Sequence, residues 1–252
     1  MSEKPQVYIL RGEGIECEKE SFRFFKSFLG EAAVHYLWVQ ELIKNKNKFL
    51  EQMRKNDFFF IPGGFSYSDH LGSGRLLAFR LSEINLWNEL IEREVHIVGV
   101  CNGFQILVAA GLLGKKTTLK KNHSLLNFGN FTNQWVSLEA PLFERQDYSF
   151  SIRHAEGNLQ YEDEENLAVF LKYRECFSNG SKDGAAGLVK KHQNSFVWGM
   201  MPHPEIAWRE VNEANRSSSD VLIRFKKKRF TEKGAAFNFF EELFKKSQDG
   251  SF

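Results

Sequence analysis

The chain has 252 residues, 42% of them hydrophobic and 26% charged, the composition of a globular protein whose length suits one large α/β core. Thirty-four basic residues against thirty-two acidic ones leave a net charge of +2, which excludes a strongly basic nucleic-acid binder and an acidic disordered chain. Three cysteines, Cys17, Cys101 and Cys176, are too few for a disulfide framework, and no apolar run reaches the roughly 18 residues of a membrane span.

Val7–Leu10 is a short apolar run, too brief for a signal-peptide core, so a reducing cytoplasmic compartment is expected. It reads as a strand that ends in the glycine-punctuated loop Arg11-Gly12-Glu13-Gly14. From Cys17 to Leu29 the residues Phe22, Phe25, Phe28 and Leu29 fall at helical spacing, and Gly30 supplies a stop. Ala33–Val39 is β-rich, and Glu41–Lys55 is polar and helical. Phe58–Ile61 is a fully apolar strand stopped by Pro62-Gly63-Gly64; Leu76–Arg93 reads as one helix and His96–Val100 as the next strand. Short strand–helix units of this kind predict a parallel sheet covered on both faces. Ligands of such sheets bind beyond the carboxyl ends of the strands, so the loops after Leu10, Ile61 and Val100 matter most.

Past residue 115 the pattern changes to strands without crossover helices: Phe131–Glu139, Tyr148–His154, Leu167–Tyr173, Ala185–Lys190 and Phe196–Met201. They predict an antiparallel extension of the same domain, expected to span residues 6–247. A helix over Gly234–Lys246 closes it. Phenylalanine, 25 residues of 252, is in excess and reads as core packing.

The chemistry concentrates at Gly99-Val100-Cys101-Asn102-Gly103-Phe104-Gln105, where a strand turns into a helix. Small residues around Cys101 allow a sharp turn that projects the side chain at the strand end. The helix N-terminus there favours the reactive thiolate, and the Asn102 N–H can act as one oxyanion donor. Cys17 and Cys176 lack such surroundings and read as structural. A cysteine nucleophile needs an oriented base. His203, in Met201-Pro202-His203-Pro204-Glu205, has backbone-fixing prolines and a carboxylate two residues on; His154, followed by Glu156, is the runner-up. In Pro62-Gly63-Gly64-Phe65 the backbone N–H of Gly64 or Phe65 is the expected second oxyanion donor. Gly111–Thr117 has the wrong spacing for a phosphate loop, and no Cys/His pair has zinc spacing, so no metal is expected. Residues 221–252 carry eight basic and four acidic side chains, including the run Arg224–Arg229, which reads as a solvated face or a docking surface.

The elbow Gly-x-Cys-x-Gly-x-Gln with a later His-x-Glu resembles class I glutamine amidotransferases. Pro62–Tyr67, Cys101–Leu107, Phe131–Val136, His154–Asn158 and Gly199–Glu205 are similar to one branch of them, the glutaminase subunits of phosphoribosylformylglycinamidine synthase. The resemblance implies a flavodoxin-like fold and a triad of Cys101, His203 and Glu205 that releases ammonia from glutamine through a glutamyl thioester. It assigns Gln105, Asn133 and Trp135 to substrate binding. It implies no cofactor in this chain, a large synthetase partner that uses ATP and Mg to amidate formylglycinamide ribonucleotide, and a third small subunit. Glu16 stands where the family usually has Asn, and Ser68 where it usually has Gly. Other readings are an amidotransferase for a different synthetase, a cysteine hydrolase on the same fold, and a non-catalytic glutamine-sensing scaffold.

Overall fold

The structure, a computed structural model, describes residues 4–123, 131–174, 177–207 and 234–250. Cys176 and the basic run Arg224–Arg229 lie outside them.

The first half alternates strands and helices: β1 (Val7–Arg11), α1 (Glu18–Leu29), β2 (Val34–Trp38), α2 (Val39–Lys44), α3 (Lys46–Leu50), β3 (Phe58–Ile61), α4 (Arg75–Glu83), α5 (Leu86–Glu92), β4 (His96–Val100) and α6 (Asn102–Ala109). There follow β5 (Thr118–Lys120), β6 (Thr132–Glu139), β7 (Asp147–His154), β8 (Asn158–Gln160), β9 (Leu167–Tyr173), β10 (Ala185–His192), β11 (Ser195–Met200) and α7 (Ala235–Asp249). Two expected helices are each broken. Asn85, at φ 54°, separates α4 from α5, and Asn45, at φ −132° and ψ 41°, separates α2 from α3. Asparagine tolerates such backbone better than most residues, so an apolar period can run on through a break.

Nine strands form one sheet in the order β2-β1-β3-β4-β11-β10-β9-β6-β7. The first five are mutually parallel, in the strand order of flavodoxin-like sheets. From β11 onward each neighbour is antiparallel. The expected parallel sheet and its extension are therefore one continuous mixed sheet, in which β11 belongs to both halves. The small sheet of β5 and β8, antiparallel, is not legible in the sequence because three residues carry no period.

Burial follows strand position. Every residue of β3 and β4 is buried, as central parallel strands covered on two faces require, whereas β2 at the edge buries only Val34 and Leu37. Phe58 stacks on Phe244 of α7 at 3.8 Å, and Phe60 meets Phe25 of α1 at 5.0 Å. Phe59, on the opposite face, meets Trp87 of α5. Much of the phenylalanine excess is thus accounted for: α1 and α7 share one face of the sheet through Phe24, Phe25, Phe28, Phe237, Phe240 and Phe244. The Trp198 indole N–H donates to Ser247 Oγ at 2.9 Å, and the Ala236 N–H donates to Ala207 O at 3.3 Å. These bonds tie α7 to β11 and to the segment that follows it.

Among the described residues, no helix is long and apolar enough to cross a membrane.

Candidate active site

Strands β4 and β11 are parallel neighbours, with Val100 opposite Met200. The residues that follow them therefore leave the sheet side by side, and this places Cys101 and His203 at one edge. β3 ends one strand further on, with Ile61 opposite Gly99, and delivers Pro62-Gly63-Gly64 to the same place.

Cys101 turns the chain sharply, at φ 52° and ψ −107°, a backbone region that L-residues avoid unless their surroundings impose it. Its N–H donates to Met200 O at 2.7 Å. The flanking glycines are needed for close approach. A Cβ on Gly99 would lie 2.6 Å from the Gly103 carbonyl, and one on Gly103 would collide with Ile61 O. Strand, turn and helix are pressed together there with no space for a methyl group, so the thiol is held at the strand end. The Cys101 Sγ–H points at Arg153 O, 3.5 Å away.

His203 is buried, and its N–H donates to Ser151 O of β7 at 2.9 Å. The Glu205 carboxylate, in a short turn over Pro204–Ile206, lies 2.8 Å from His203 Nδ1 through Oε1. With Nδ1 facing a carboxylate, Nε2 is left for the thiols. Burial pushes the imidazole down, but Glu205 and the hydrogen-bonding thiols of Cys101 and Cys17 outweigh it and hold His203 well above the ordinary imidazole value. His154 is different. Its Nδ1 lies 3.1 Å from Asn122 Nδ2, and burial, with the facing His203 charge, pushes it down to about 3. A ring so weakly basic, with Nδ1 on Asn122, is the poorer candidate base beside His203, whose Nδ1 faces a carboxylate.

The sequence reading of Cys17 is corrected. It caps α1, its N–H donates to Gly63 O at 3.1 Å, and its thiol acts on the His203 imidazole. Burial pushes that thiol up, against the His203 contribution. Gly63 is a further residue that sequence reasoning misses. A Cβ there would lie 2.6 Å from His203 Cε1, 3.3 Å from Cys101 Cβ and 3.4 Å from Cys17 Sγ, so only glycine fits among these three side chains. The rule that ligands sit beyond strand ends points at the loop after β1. It cannot name the residue, because a half-buried cysteine six positions past a strand looks like any other.

The two candidate oxyanion donors in the glycine loop part company. The Phe65 N–H is committed to Gly14 O at 2.6 Å, in the bridge that pairs Gly64 with Ile15. The backbone N–H groups of Gly64 and Asn102 form no hydrogen bond with the described residues, so these two remain available. The Asn102 side chain is buried and fixes the loop: its Oδ1 accepts from Ser66 N at 3.0 Å, and its Nδ2 donates to Asp69 Oδ1 at 3.2 Å and to Gln105 Oε1 at 2.9 Å. Gln105 in turn donates to Glu156 O at 2.8 Å. Its amide thus ties α6 to the segment after β7.

Asn133 and Trp135 lie on β6, exposed, opposite Arg153 and Ser151. Those partners carry the carbonyls that meet Cys101 and the His203 N–H. The register therefore brings β6 near the thiol, while the Asn133 and Trp135 side chains stay at the exposed rim.

Residues 4–243 match the family described as the CobB/CobQ-like glutamine amidotransferase domain. A chain of PurLQS from Thermotoga maritima is 28% identical, with a TM-score of 0.64, over 82% of this chain and 91% of that one. A Thermoplasma acidophilum protein, provisionally named as part of a GMP synthase, superposes with a TM-score of 0.56 at 10% identity over 99% and 96% of the two chains. That likeness is one of fold.

Proposed function

We propose, for a chain that belongs to the CobB/CobQ-like glutamine amidotransferase family, that it hydrolyses glutamine at Cys101 and passes the ammonia to a synthetase that makes formylglycinamidine ribonucleotide. The observation that carries this reading is the meeting of Cys101, His203 and Glu205 at the ends of two adjacent parallel strands. The likeness to a PurLQS chain supports the choice of pathway.

In this reading His203 takes the Cys101 thiol proton, and the thiolate attacks the side-chain amide carbon of glutamine. The N–H groups of Gly64 and Asn102 meet the charge that develops on the amide oxygen. His203 then returns the proton to the leaving nitrogen, which departs as ammonia and leaves a glutamyl thioester. Water, deprotonated by His203, opens the thioester and releases glutamate. Glu205 fixes the imidazole tautomer and offsets its positive charge. Asn133 and Trp135 contact the substrate from β6, while Gln105 acts through the network it holds. The chain itself carries no cofactor; ATP and Mg are used by a large synthetase subunit, which it joins together with a third small subunit.

The test is glutamate release from glutamine by the chain in complex with its synthetase. Cys101→Ser is expected to lower turnover by about a thousandfold or more while ammonia-dependent amidation by the complex persists. Glutamine-dependent amidation that survives Cys101→Ser would overturn the reading.

A further inference from the structure

Hydrolysis as described above uses one thiol at His203, and the fold brings two. The thiols of Cys17 and Cys101 both hydrogen-bond the imidazole, and Cys17 Sγ lies within 4.8 Å of a ring nitrogen. With Nδ1 on Glu205, both sulfurs gather on the Nε2 side of one ring.

Gly63 shows how closely the two cysteines approach. A Cβ there would sit 3.3 Å from Cys101 Cβ and 3.4 Å from Cys17 Sγ, so both border the space of one missing methyl group. Their backbones are fixed on either side of it. The Cys17 N–H donates to Gly63 O at 3.1 Å, and the Cys101 N–H donates to Met200 O at 2.7 Å. The Cys17 side chain makes no capping bond to α1, so its thiol can turn toward Cys101 without loosening the helix.

The two thiols also differ in the way a redox pair requires. Cys101 is the activated sulfur at the strand end, and it is buried, whereas Cys17 is partly exposed. Burial pushes the Cys17 thiol up, so at neutral pH it waits as the protonated partner. A nucleophilic cysteine with a second thiol beside it is the arrangement of redox-sensing sites.

We infer that Cys101 and Cys17 form a reversible disulfide when the site meets a hydroperoxide, and that this bond switches the site off. Only the switching rests on the function proposed above; the bond itself does not. In the first step the Cys101 thiolate attacks one peroxide oxygen. The O–O bond breaks, an S–O bond forms, and the departing hydroxide leaves as water with the proton that His203 took from Cys101. Sulfur is oxidised to the sulfenic acid and the peroxide is reduced. In the second step Cys17 gives its proton to His203 and its sulfur attacks that of Cys101. The S–S bond forms, the S–O bond breaks, and a second water leaves with the His203 proton. A dithiol reverses the bond by exchange. Without Cys17 the sulfenic acid can be oxidised further to the sulfinic acid, which a dithiol does not reverse. Sequence spacing could not reveal the pair, because Cys17 has no motif around it and lies far from Cys101 in the chain.

The experiment uses the full chain carrying Cys176→Ser, so that two thiols remain. It is treated with hydrogen peroxide, alkylated, digested without reduction and read by peptide mass spectrometry. A cross-linked peptide joining Cys17 to Cys101 is expected, and dithiothreitol is expected to release it. Cys17→Ser, with an unchanged circular dichroism spectrum as the check on folding, is expected to carry sulfinic acid on Cys101 at the same dose. In complex with the synthetase, the chain that retains Cys17 is expected to regain its own starting rate of glutamine hydrolysis after dithiothreitol. Cys17→Ser is expected to regain about a tenth of its own or less. Peroxide that leaves Cys101 unmodified, or that takes it to the sulfinic acid without a cross-link while Cys17 is present, would overturn the inference. Equal recovery with and without Cys17 would overturn the switching. The cross-link is read without turnover: a chain that hydrolyses glutamine but forms no bond refutes only the disulfide, and one that forms the bond without hydrolysis refutes only the glutaminase.

Discussion

Cys101 at φ 52° has company in the loop that follows β3. Tyr67, Ser68 and Asp69 take φ values of 50°, 53° and 52°, and Leu71 follows at 68°. Three consecutive left-handed residues without glycine cost about 1 kcal/mol or more each, and the loop is held to that shape partly by Ser66 N and Asp69 Oδ1, both bonded to Asn102. Ser68, which departs from the related family, therefore occupies a position where glycine carries no steric cost. Ser68→Gly is expected to raise stability by about 0.5–1 kcal/mol, after the greater freedom of glycine in the unfolded chain is deducted; denaturant unfolding checks it. The other departure, Glu16, is exposed, and the fold uses its backbone N–H, bonded to Gly63 O at 3.2 Å. At this scale the sequence discloses the residues with a motif around them: Cys101, His203 and Glu205 stand in distinctive strings. Cys17 and Gly63 do not, and only the folded chain brings them to His203.

Among the elements, α7 joins the two ends of the fold. Phe240 is fully buried, with its ring 4.8 Å from Phe24, 5.0 Å from Phe25 and 6.3 Å from Phe60. Removing it leaves a cavity between α1, α7 and the sheet, so Phe240→Ala is expected to cost about 3–5 kcal/mol, read from the shift in urea midpoint. β4 supplies a pH dependence. His96 is buried, its Nδ1 accepts from Phe196 N at 3.2 Å, and burial pushes it down to about 4, against the Glu94 charge and with that of Lys55. The unfolded chain binds this proton near pH 6.5 while the folded chain does not, so the contribution is intact above pH 7 and shrinks as pH falls through 6.5 toward 4. Between pH 7 and pH 5 about 2 kcal/mol should be lost at this site. His96→Phe is expected to flatten that part of the stability profile relative to the unsubstituted chain. Elements with a sustained period, such as β3, β4 and α1, are legible in the sequence. The breaks at Asn45 and Asn85 are not, because a single left-handed or bridging residue does not interrupt an apolar pattern.

In the whole molecule, the parallel and antiparallel halves share β11, and the site sits where they meet: Cys101 and Gly63 come from the parallel half, and Ser151 and Arg153 from β7 at the far antiparallel edge. The chain pattern predicts both halves. It does not predict their continuity, since pairing between strands distant in sequence is set by register and burial rather than by local composition. That junction brings two thiols to one imidazole, and the central claim is that Cys101 is the one that reacts with glutamine. A diazoketone analogue of glutamine, given to the chain in complex with its synthetase and followed by peptide mass spectrometry, tests this directly. One adduct on Cys101 is expected, suppressed by glutamine and absent from Cys101→Ser. An adduct on Cys17 with Cys101 unmodified, or no glutamine-protected adduct on either thiol, would contradict the account.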